Sequence, residues 1–133
     1  MKKISSNNLS NNLSNNLIAM RGDVFWFDPL KEVKINHSPL VLVLSGRLQN
    51  QYSDHLIIVA VSSKSVSEVR DYFEVACEVE NLKLKVILFA IHAIGKDFFL
   101  EKAIYLGKID KKIMEKINEK IKLILELCAS QCL

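Results

Sequence analysis

The sequence predicts a β-rich α+β domain, a small barrel or half-barrel that ends in one amphipathic helix. Two observations predict it. Short apolar and β-branched runs, separated by polar segments, fill the chain from about residue 20 to residue 106. Beyond residue 107 the apolar positions recur with a helical period instead. The 133 residues are 50% hydrophobic and 25% charged, which is typical of one globular domain with a substantial core.

Six runs in this part of the chain have the composition of β-strands. They cover residues 23–27, 40–44, 56–61, 72–79, 85–91 and 103–106. The runs LVLVL and LIIVAV are continuously apolar, which indicates strands covered on both faces. Residues 72–79 alternate between polar and apolar positions, with Glu74 and Glu78 on the polar side. We therefore expect this strand to have one wetter face.

The last element is an amphipathic helix, expected over residues 110–128. Apolar side chains recur every three to four residues from Ile109 to Cys128, and lysines fall on the opposite face. Asp110 is a suitable N-cap for this helix. The lysine-rich face is expected to be solvated surface.

The first 19 residues differ from the rest, and we expect a low-complexity tail followed by a single domain over residues 20–133. The unit NNLS recurs with a period of four, and its Asn and Ser side chains compete with the backbone for hydrogen bonds. Leu9, Leu13 and Leu17 would share one face if a partner imposed a helix. The sequence shows neither an apolar signal segment nor a run of about 18 apolar residues, which predicts a cytoplasmic protein with no membrane association.

Charge and cysteine content restrict the classes of ligand. Eighteen Lys and Arg against fifteen Asp and Glu leave a net charge of +3, which permits a nucleic-acid partner without requiring one. Cys77, Cys128 and Cys132 form no CxxC pair and the histidines are scattered, so we expect reduced thiols, no metal site and no cofactor. Nucleotide-binding glycine motifs and hydrolase motifs are missing from the sequence as well.

Candidate functional residues lie where predicted strands begin or end. His37 and Ser38 precede LVLVL, and Ser62 and Ser63 follow LIIVAV. Loop residues at strand ends commonly form sites on small β scaffolds. Ordinary turn chemistry also explains Ser62 and Ser63, and on the residues alone it is the favoured interpretation.

Five blocks, taken in order along the chain, match the motifs of one known family. RGDVFWFDP at residues 21–29 is similar to the family's opening strand. SPLVLVLS at residues 38–45 resembles its R-P-V-L-V-L-S, and IVAVSSK at residues 58–64 resembles its I-V-P-V-T-S-K. Residues 85–99 stand in the place of its V-I-L-x-x-Q-I-R-T-I-D-K segment, and LGK with the terminal helix follows. Over residues 20–127 the chain thus resembles the MazF/PemK family, the ribonuclease toxins of bacterial toxin–antitoxin pairs.

The resemblance implies a fold, an assembly and a reaction. The fold is an SH3-like barrel with a C-terminal helix, and the assembly is a homodimer. The reaction is metal-independent cleavage of single-stranded RNA, in which a 2′-hydroxyl attacks the neighbouring phosphate and leaves a cyclic phosphate and a 5′-hydroxyl end. The family places the Arg of its R-P motif and the Thr of its V-T-S motif at the phosphate, and these positions are Ser38 and Ser62 here.

Substitutions at the family's site positions predict a degenerate ribonuclease site. Ser38 carries no charge and cannot replace an arginine fork. Residues 90–95, AIHAIG, replace the family's Q-I-R-T-I-D. Loss of one such donor costs about two to three orders of magnitude in rate. We therefore expect a non-catalytic or weakly active module that binds a protein partner, such as an antitoxin or a regulated protein.

The alternative is an active endoribonuclease toxin that an antitoxin neutralises. His37 adjoins Ser38 and would act as the acid, while His92 stands where the family has Arg and would be partly cationic near neutral pH. A third hypothesis is a binder of single-stranded RNA that uses exposed lysines and stacking on Trp26. Against it, Trp26 is expected in the core or at a dimer contact.

Overall fold

Six antiparallel strands form one sheet, and three helices accompany them in the residues that the computed structural model describes, 19–27 and 39–126. The strand order across the sheet is β4-β5-β3-β2-β1-β6. The strands are β1 (Asp23–Trp26), β2 (Leu40–Val43), β3 (His55–Ser62), β4 (Glu74–Val79), β5 (Leu82–Gly95) and β6 (Ile104–Lys108). The helices are α1 (Arg47–Tyr52), α2 (Lys96–Lys102) and α3 (Lys111–Ile124).

The sheet curls into a half-barrel, which confirms the predicted small β-rich barrel with a C-terminal helix. All six predicted strands are present. β5 is longer than predicted, with 14 residues, because its second half continues past the apolar run and pairs with the first half of β3. The short helices α1 and α2 were not predicted, since six or seven residues are too few to show a helical period.

Strand β3 separates two apolar clusters, as alternation along a buried strand requires. Val59 and Val61 face α3, where they join Met114 and Ile117. Ile58 faces the other way, into a cluster that contains the aromatic rings of β1 and α2. In that cluster the rings of Phe25 and Phe99 pack edge to face, with centroids 5.0 Å apart.

Asp110 is the N-cap of α3, as predicted, and its carboxylate accepts the backbone N–H of Lys112 at 3.2 Å. The helix ends at Ile124, four residues before the predicted end. Its C-cap is Leu125. Glu126 then adopts a left-handed backbone with φ of 54°, which a continuing right-handed helix does not allow. None of the helices in the described part of the chain has the length and hydropathy needed to span a membrane.

The opening residues Arg21, Gly22 and Asp23 have a structural role in this fold. Gly22 has φ of +97°, a conformation that disfavours any side chain, and its N–H donates to the carbonyl of Val43 at 2.9 Å. Asp23 accepts the backbone N–H of Met20 at 2.8 Å and pairs with Lys108 at 2.7 Å. These contacts hold the start of β1 to both of its neighbours.

Arg21 extends the same anchoring to the terminal helix. Its guanidinium donates to the carbonyl of Leu44 and to the side-chain oxygen of Asn118 in α3. Burial lowers the pKa of this guanidinium, although an arginine remains charged at any physiological pH. Arg21 therefore fastens α3 to the sheet.

The burial of two residues differs from the simplest expectation. Trp26, the last residue of β1, is 41% exposed and does not lie in the core, while the other expectation, a dimer contact, stays a prediction. Glu74 is only 4% exposed, although it was predicted on a wetter face. An ion pair with Lys85 compensates the buried carboxylate, and the periodicity of β4 gives no sign of that partner.

Candidate functional site

Ser62 ends β3 and is buried, with 3% of its surface exposed. Its Oγ accepts the backbone N–H of Lys64 at 3.0 Å, so the hydroxyl begins the turn that follows the strand. The predicted turn chemistry is therefore present. The proton of the hydroxyl takes no part in that hydrogen bond, so Ser62 retains a donor.

The residue directly opposite Ser62 on the neighbouring strand is Lys85. Leu84 and Val86, which flank it on β5, belong to the cluster on the α3 side, so Lys85 leaves the sheet on the other face. Directly opposed residues of an antiparallel pair have Cβ atoms about 4.5–5.5 Å apart and project from the same face. The register thus places the Ser62 and Lys85 side chains side by side on one face at this end of the sheet.

Lys85 is itself buried and hydrogen-bonded. Its Nζ donates to the carbonyl of Glu68 and to Oε1 of Glu74, both at 3.1 Å. The lysine and glutamate side chains are 10% and 6% exposed. Oε1 of Glu74 also accepts the backbone N–H of Arg70 at 3.0 Å.

The Glu74 carboxyl is ionised at neutral pH. Burial raises its pKa, but the hydrogen bonds from the Arg70 backbone and from Lys85, with the positive charges of both residues, outweigh that effect. The pKa therefore lies below its ordinary value. One carboxylate thus stands among the cationic groups of Lys85 and Arg70.

His92 lies elsewhere on the same sheet. It is half-buried on β5 and faces Ile58 of β3, four residues before Ser62. With a rise of about 3.3 Å per residue, these positions are about 13 Å apart along the strand. The structure does not bring His92 and Ser62 together within one chain, and a catalytic role for His92 stays a prediction.

His37 and Ser38 lie outside the described residues, as do the tail over residues 1–18 and the cysteines Cys128 and Cys132. The described chain resumes at Pro39, and Leu40 pairs with Val61. β2 therefore begins at the end of the sheet where β3 ends, close to Ser62. The roles of His37 and Ser38 stay predictions.

Lys85 and Glu74 were not predicted as site residues, since neither lies at a predicted strand end next to Ser62. The sequence contains a weak signal for both residues. Lys85 interrupts the apolar run LKVIL of β5, and Glu74 directly precedes the apolar residues of the preceding strand, β4. Buried lysines and glutamates are rare unless they are paired. Their partnership depends on strand register, which the sequence pattern alone does not specify.

The remaining described cysteine has no sign of reactivity. Burial raises the pKa of the Cys77 thiol to about 11, so almost none of it is thiolate at neutral pH. No group of three or more metal-ligating side chains is arranged to hold a metal ion among residues 19–27 and 39–126.

The curled six-stranded sheet and its C-terminal helix define a small β-rich half-barrel protein. The family described as PemK-like, MazF-like toxin of type II toxin-antitoxin system matches residues 20–125, and the chain belongs to this family. The resemblance inferred from the motifs is confirmed. A search of the curated proteins found no match.

Solved structures with the same fold share little sequence with this chain. One is described as an endoribonuclease from mycobacterial species, with 24% identity and a TM-score of 0.64, covering 82% of this chain and 92% of that one. A mycobacterial endoribonuclease in complex with its cognate antitoxin has 23% identity and a TM-score of 0.61, covering 82% and 94%. MazE-MazF from Deinococcus radiodurans has 16% identity and a TM-score of 0.62, covering 83% and 98%.

Proposed function

We propose that this protein is the toxin of a toxin–antitoxin pair and cleaves single-stranded RNA without a metal ion. Family membership supports the toxin assignment, and similar structures described as endoribonucleases support the activity. The observation that carries the proposal is Ser62. It retains a hydroxyl at the position where the family has its phosphate-contacting Thr, in a polar cluster at the end of β3. Messenger RNA as substrate agrees with the cytoplasmic location that the sequence predicts.

The reaction requires charge stabilisation and proton transfer. The 2′-hydroxyl gives up its proton to water as its oxygen forms a bond to phosphorus, the bond from phosphorus to the 5′-oxygen breaks, and the departing oxygen takes up a proton. The Ser62 hydroxyl would donate to a non-bridging phosphate oxygen as negative charge develops on it. His37 is the proposed acid. His92, about 13 Å from Ser62 along the strand, would contact a neighbouring nucleotide.

The test is a cleavage assay on a long single-stranded RNA in the presence of EDTA. Wild type is compared with Ser62→Ala and with Ser63→Ala, a matched control at the exposed neighbouring serine. We expect discrete wild-type products with cyclic-phosphate ends, a loss of about two orders of magnitude in Ser62→Ala, and little change in Ser63→Ala. Absence of cleavage by a folded wild-type protein would contradict the proposal.

A non-catalytic, partner-binding protein is the second candidate. The observation that favours it is the loss of the family's charged residues at Ser38 and over residues 90–95. Ser38→Arg distinguishes the two candidates, since it restores the cationic fork that the family uses. Inactive wild type together with active Ser38→Arg would establish a degenerate site. A wild-type protein that cleaves RNA as fast as Ser38→Arg does would eliminate this candidate.

We infer that an antitoxin is the protein partner, because similar structures include complexes with an antitoxin. Co-expression with the product of an adjacent gene tests this inference. Relief of growth arrest and co-purification of the two proteins are the expected results. Arrest that persists although both proteins are present would contradict it.

We also propose a homodimer, as the resemblance implies. An exposed apolar cluster near the end of α3 supports an interface between copies. Phe73 packs edge to face against Phe89, with ring centroids 6.1 Å apart, and Leu123 is 59% exposed. Light scattering should give a dimer for wild type and a monomer for Phe89→Ser. The control is Tyr52→Ser, at a similarly exposed aromatic on α1, and a dimer unaffected by Phe89→Ser would place the interface elsewhere.

A further inference from the structure

Lys85 is a charged residue in an otherwise apolar stretch of β5, and its position is unusual for that reason. It is 8% exposed and is the residue paired with Ser62 on the neighbouring strand β3. A buried ammonium is costly unless it is paired, so the fold retains this charge only with compensation. Glu74 supplies that compensation through the ion pair at 3.1 Å.

The hydrogen-bonding capacity of the pair is not exhausted by these contacts. A lysine ammonium carries three N–H donors. Two of those of Lys85 serve the Glu68 carbonyl and the Glu74 carboxylate. The third donor and the hydroxyl proton of Ser62 remain, on adjacent side chains of one sheet face. A tetrahedral anion with several acceptor oxygens can accept hydrogen bonds from both donors.

The charge of the cluster also favours an anion. The depressed pKa of Glu74 shows that its carboxylate interacts with the positive charges of both Lys85 and Arg70. Lys85 and Arg70 therefore contribute positive charge beside the Glu74 carboxylate. Lys64 is exposed two residues beyond Ser62 and adds a further cation at the rim.

We propose that Lys85 and Ser62 form a phosphate subsite, in which the Lys85 ammonium supplies the positive charge that Ser38 does not carry. The proposal deepens the function proposed above and rests on it only for the identity of the ligand as RNA. Within the cleavage reaction, Lys85 would contact the phosphate whose charge rises as the 2′-oxygen attacks. Glu74 is the counter-ion of this ammonium, with its Oε1 3.1 Å from Nζ, and would compete with the phosphate for it.

The binding test uses a single-stranded RNA with 2′-O-methyl riboses, which cannot be cleaved by attack of a 2′-hydroxyl. Lys85→Met alone would leave Glu74 buried without its partner, so the variant is the double substitution Lys85→Met with Glu74→Gln. We expect its affinity for this RNA, measured by fluorescence anisotropy, to fall about tenfold to a hundredfold. The slope of the logarithm of affinity against the logarithm of salt concentration should decrease by about 0.7.

Two controls separate the subsite from the general effect of charge. Lys83→Met removes an exposed lysine two residues away on the same face of β5 and should change affinity less than twofold. Glu74→Gln alone should raise the affinity, because the Lys85 ammonium then lacks its counter-charge. An unchanged affinity in the double variant, or an equal fall in Lys83→Met, would overturn the proposal.

Cleavage of ordinary RNA by the same proteins distinguishes the two proposals. If wild type cleaves and the double variant both binds and cleaves equally well, the subsite is wrong and the endoribonuclease assignment stands. If wild type binds through Lys85 but does not cleave, the subsite stands and the endoribonuclease assignment is wrong. If wild type neither binds nor cleaves, both are wrong.

A spectroscopic measurement covers the case in which the double variant does not fold. The Lys85 Nζ signal, assigned by nitrogen-15 labelling of lysine, is followed in wild type during titration with the uncleavable RNA. A shift of the Lys85 signal that saturates together with the anisotropy supports the subsite. Shifts confined to exposed lysines would overturn it.

Discussion

Replacement of Gly107 by alanine tests how closely the two edges of the half-barrel approach each other. Gly107 lies in the edge strand β6, and a Cβ atom placed on it would be 2.6 Å from Cγ1 of Val79 at the end of the other edge strand, β4. The same atom would be 3.1 Å from Cγ of Glu80. Contacts under 3.0 Å require one of the neighbours to move. Glycine is therefore needed here for the close approach of a neighbour.

The cost follows from which neighbour has to move. Val79 is 1% exposed and belongs to the apolar cluster beneath α3, so it has little room to withdraw. Overpacking of a filled core costs about 1–3 kcal/mol. For a chain of this length we expect Tm to fall by roughly 3–5 °C for each kcal/mol. Gly107→Ala should therefore lower Tm by about 3–15 °C.

Thermal unfolding followed by circular dichroism, with urea unfolding in parallel, measures the effect. Gly46→Ala is the matched control, because nothing lies within 4 Å of its added Cβ, and its stability should change by less than about 1 kcal/mol. Val79→Ala in the Gly107→Ala background should cost less than the sum of the two single substitutions. The close approach of Gly107 to Val79 would be refuted if Gly107→Ala were as stable as wild type. It would also be refuted if the double variant lost as much stability as the two single substitutions added together.

Three further predictions concern single residues. Asp110→Ala should lower the free energy of unfolding by about 1 kcal/mol, since it removes the N-cap of α3, and Asp110→Asn should restore most of it in urea unfolding. The pKa of Glu74 is lower in the folded protein than its ordinary value of 4.5, so this carboxylate stabilises the fold above pH 4.5, and that stabilisation is lost as the pH falls through the folded-state pKa. The free energy of unfolding, measured between about pH 3 and 5, should therefore depend less on pH in Glu74→Gln than in wild type. Cys77, with its pKa near 11, should react with iodoacetamide at pH 8 much more slowly in the folded protein than in urea, and equal rates would show that the thiol is not buried.

Local patterns in the sequence were sufficient for most of the secondary structure. The apolar runs of β2 and β3 and the helical period of α3 reflect burial on one or both faces, and burial determines which residue types can occupy those positions. Asp110 was identified as an N-cap because capping involves residues only two positions apart. The RGD opening indicated the family, and the structure gives it a role in anchoring β1 and α3.

The candidate site could be predicted only in part. Ser62 was found from its place at a strand end and from the V-S-S motif, both of which are local. Lys85 and Glu74 were missed because they lie 23 and 12 positions from Ser62 along the chain, and only the pairing of β3 with β5 and of β5 with β4 brings them together. The irregular register of β5 against β3, between Val59 and Val61, has no counterpart in a sequence pattern either.

The sequence by itself therefore determined the class of fold and the family, and it supplied Ser62 as a candidate site residue, because these depend on burial periodicity and on short motifs. The tertiary structure alone decided that a buried lysine faces Ser62, that Glu74 is its ion-pair partner and that Gly107 must lack a side chain. Each of these depends on which strands become neighbours and in what register. Register is set by the cooperative packing of the whole sheet, and no single segment contains that information.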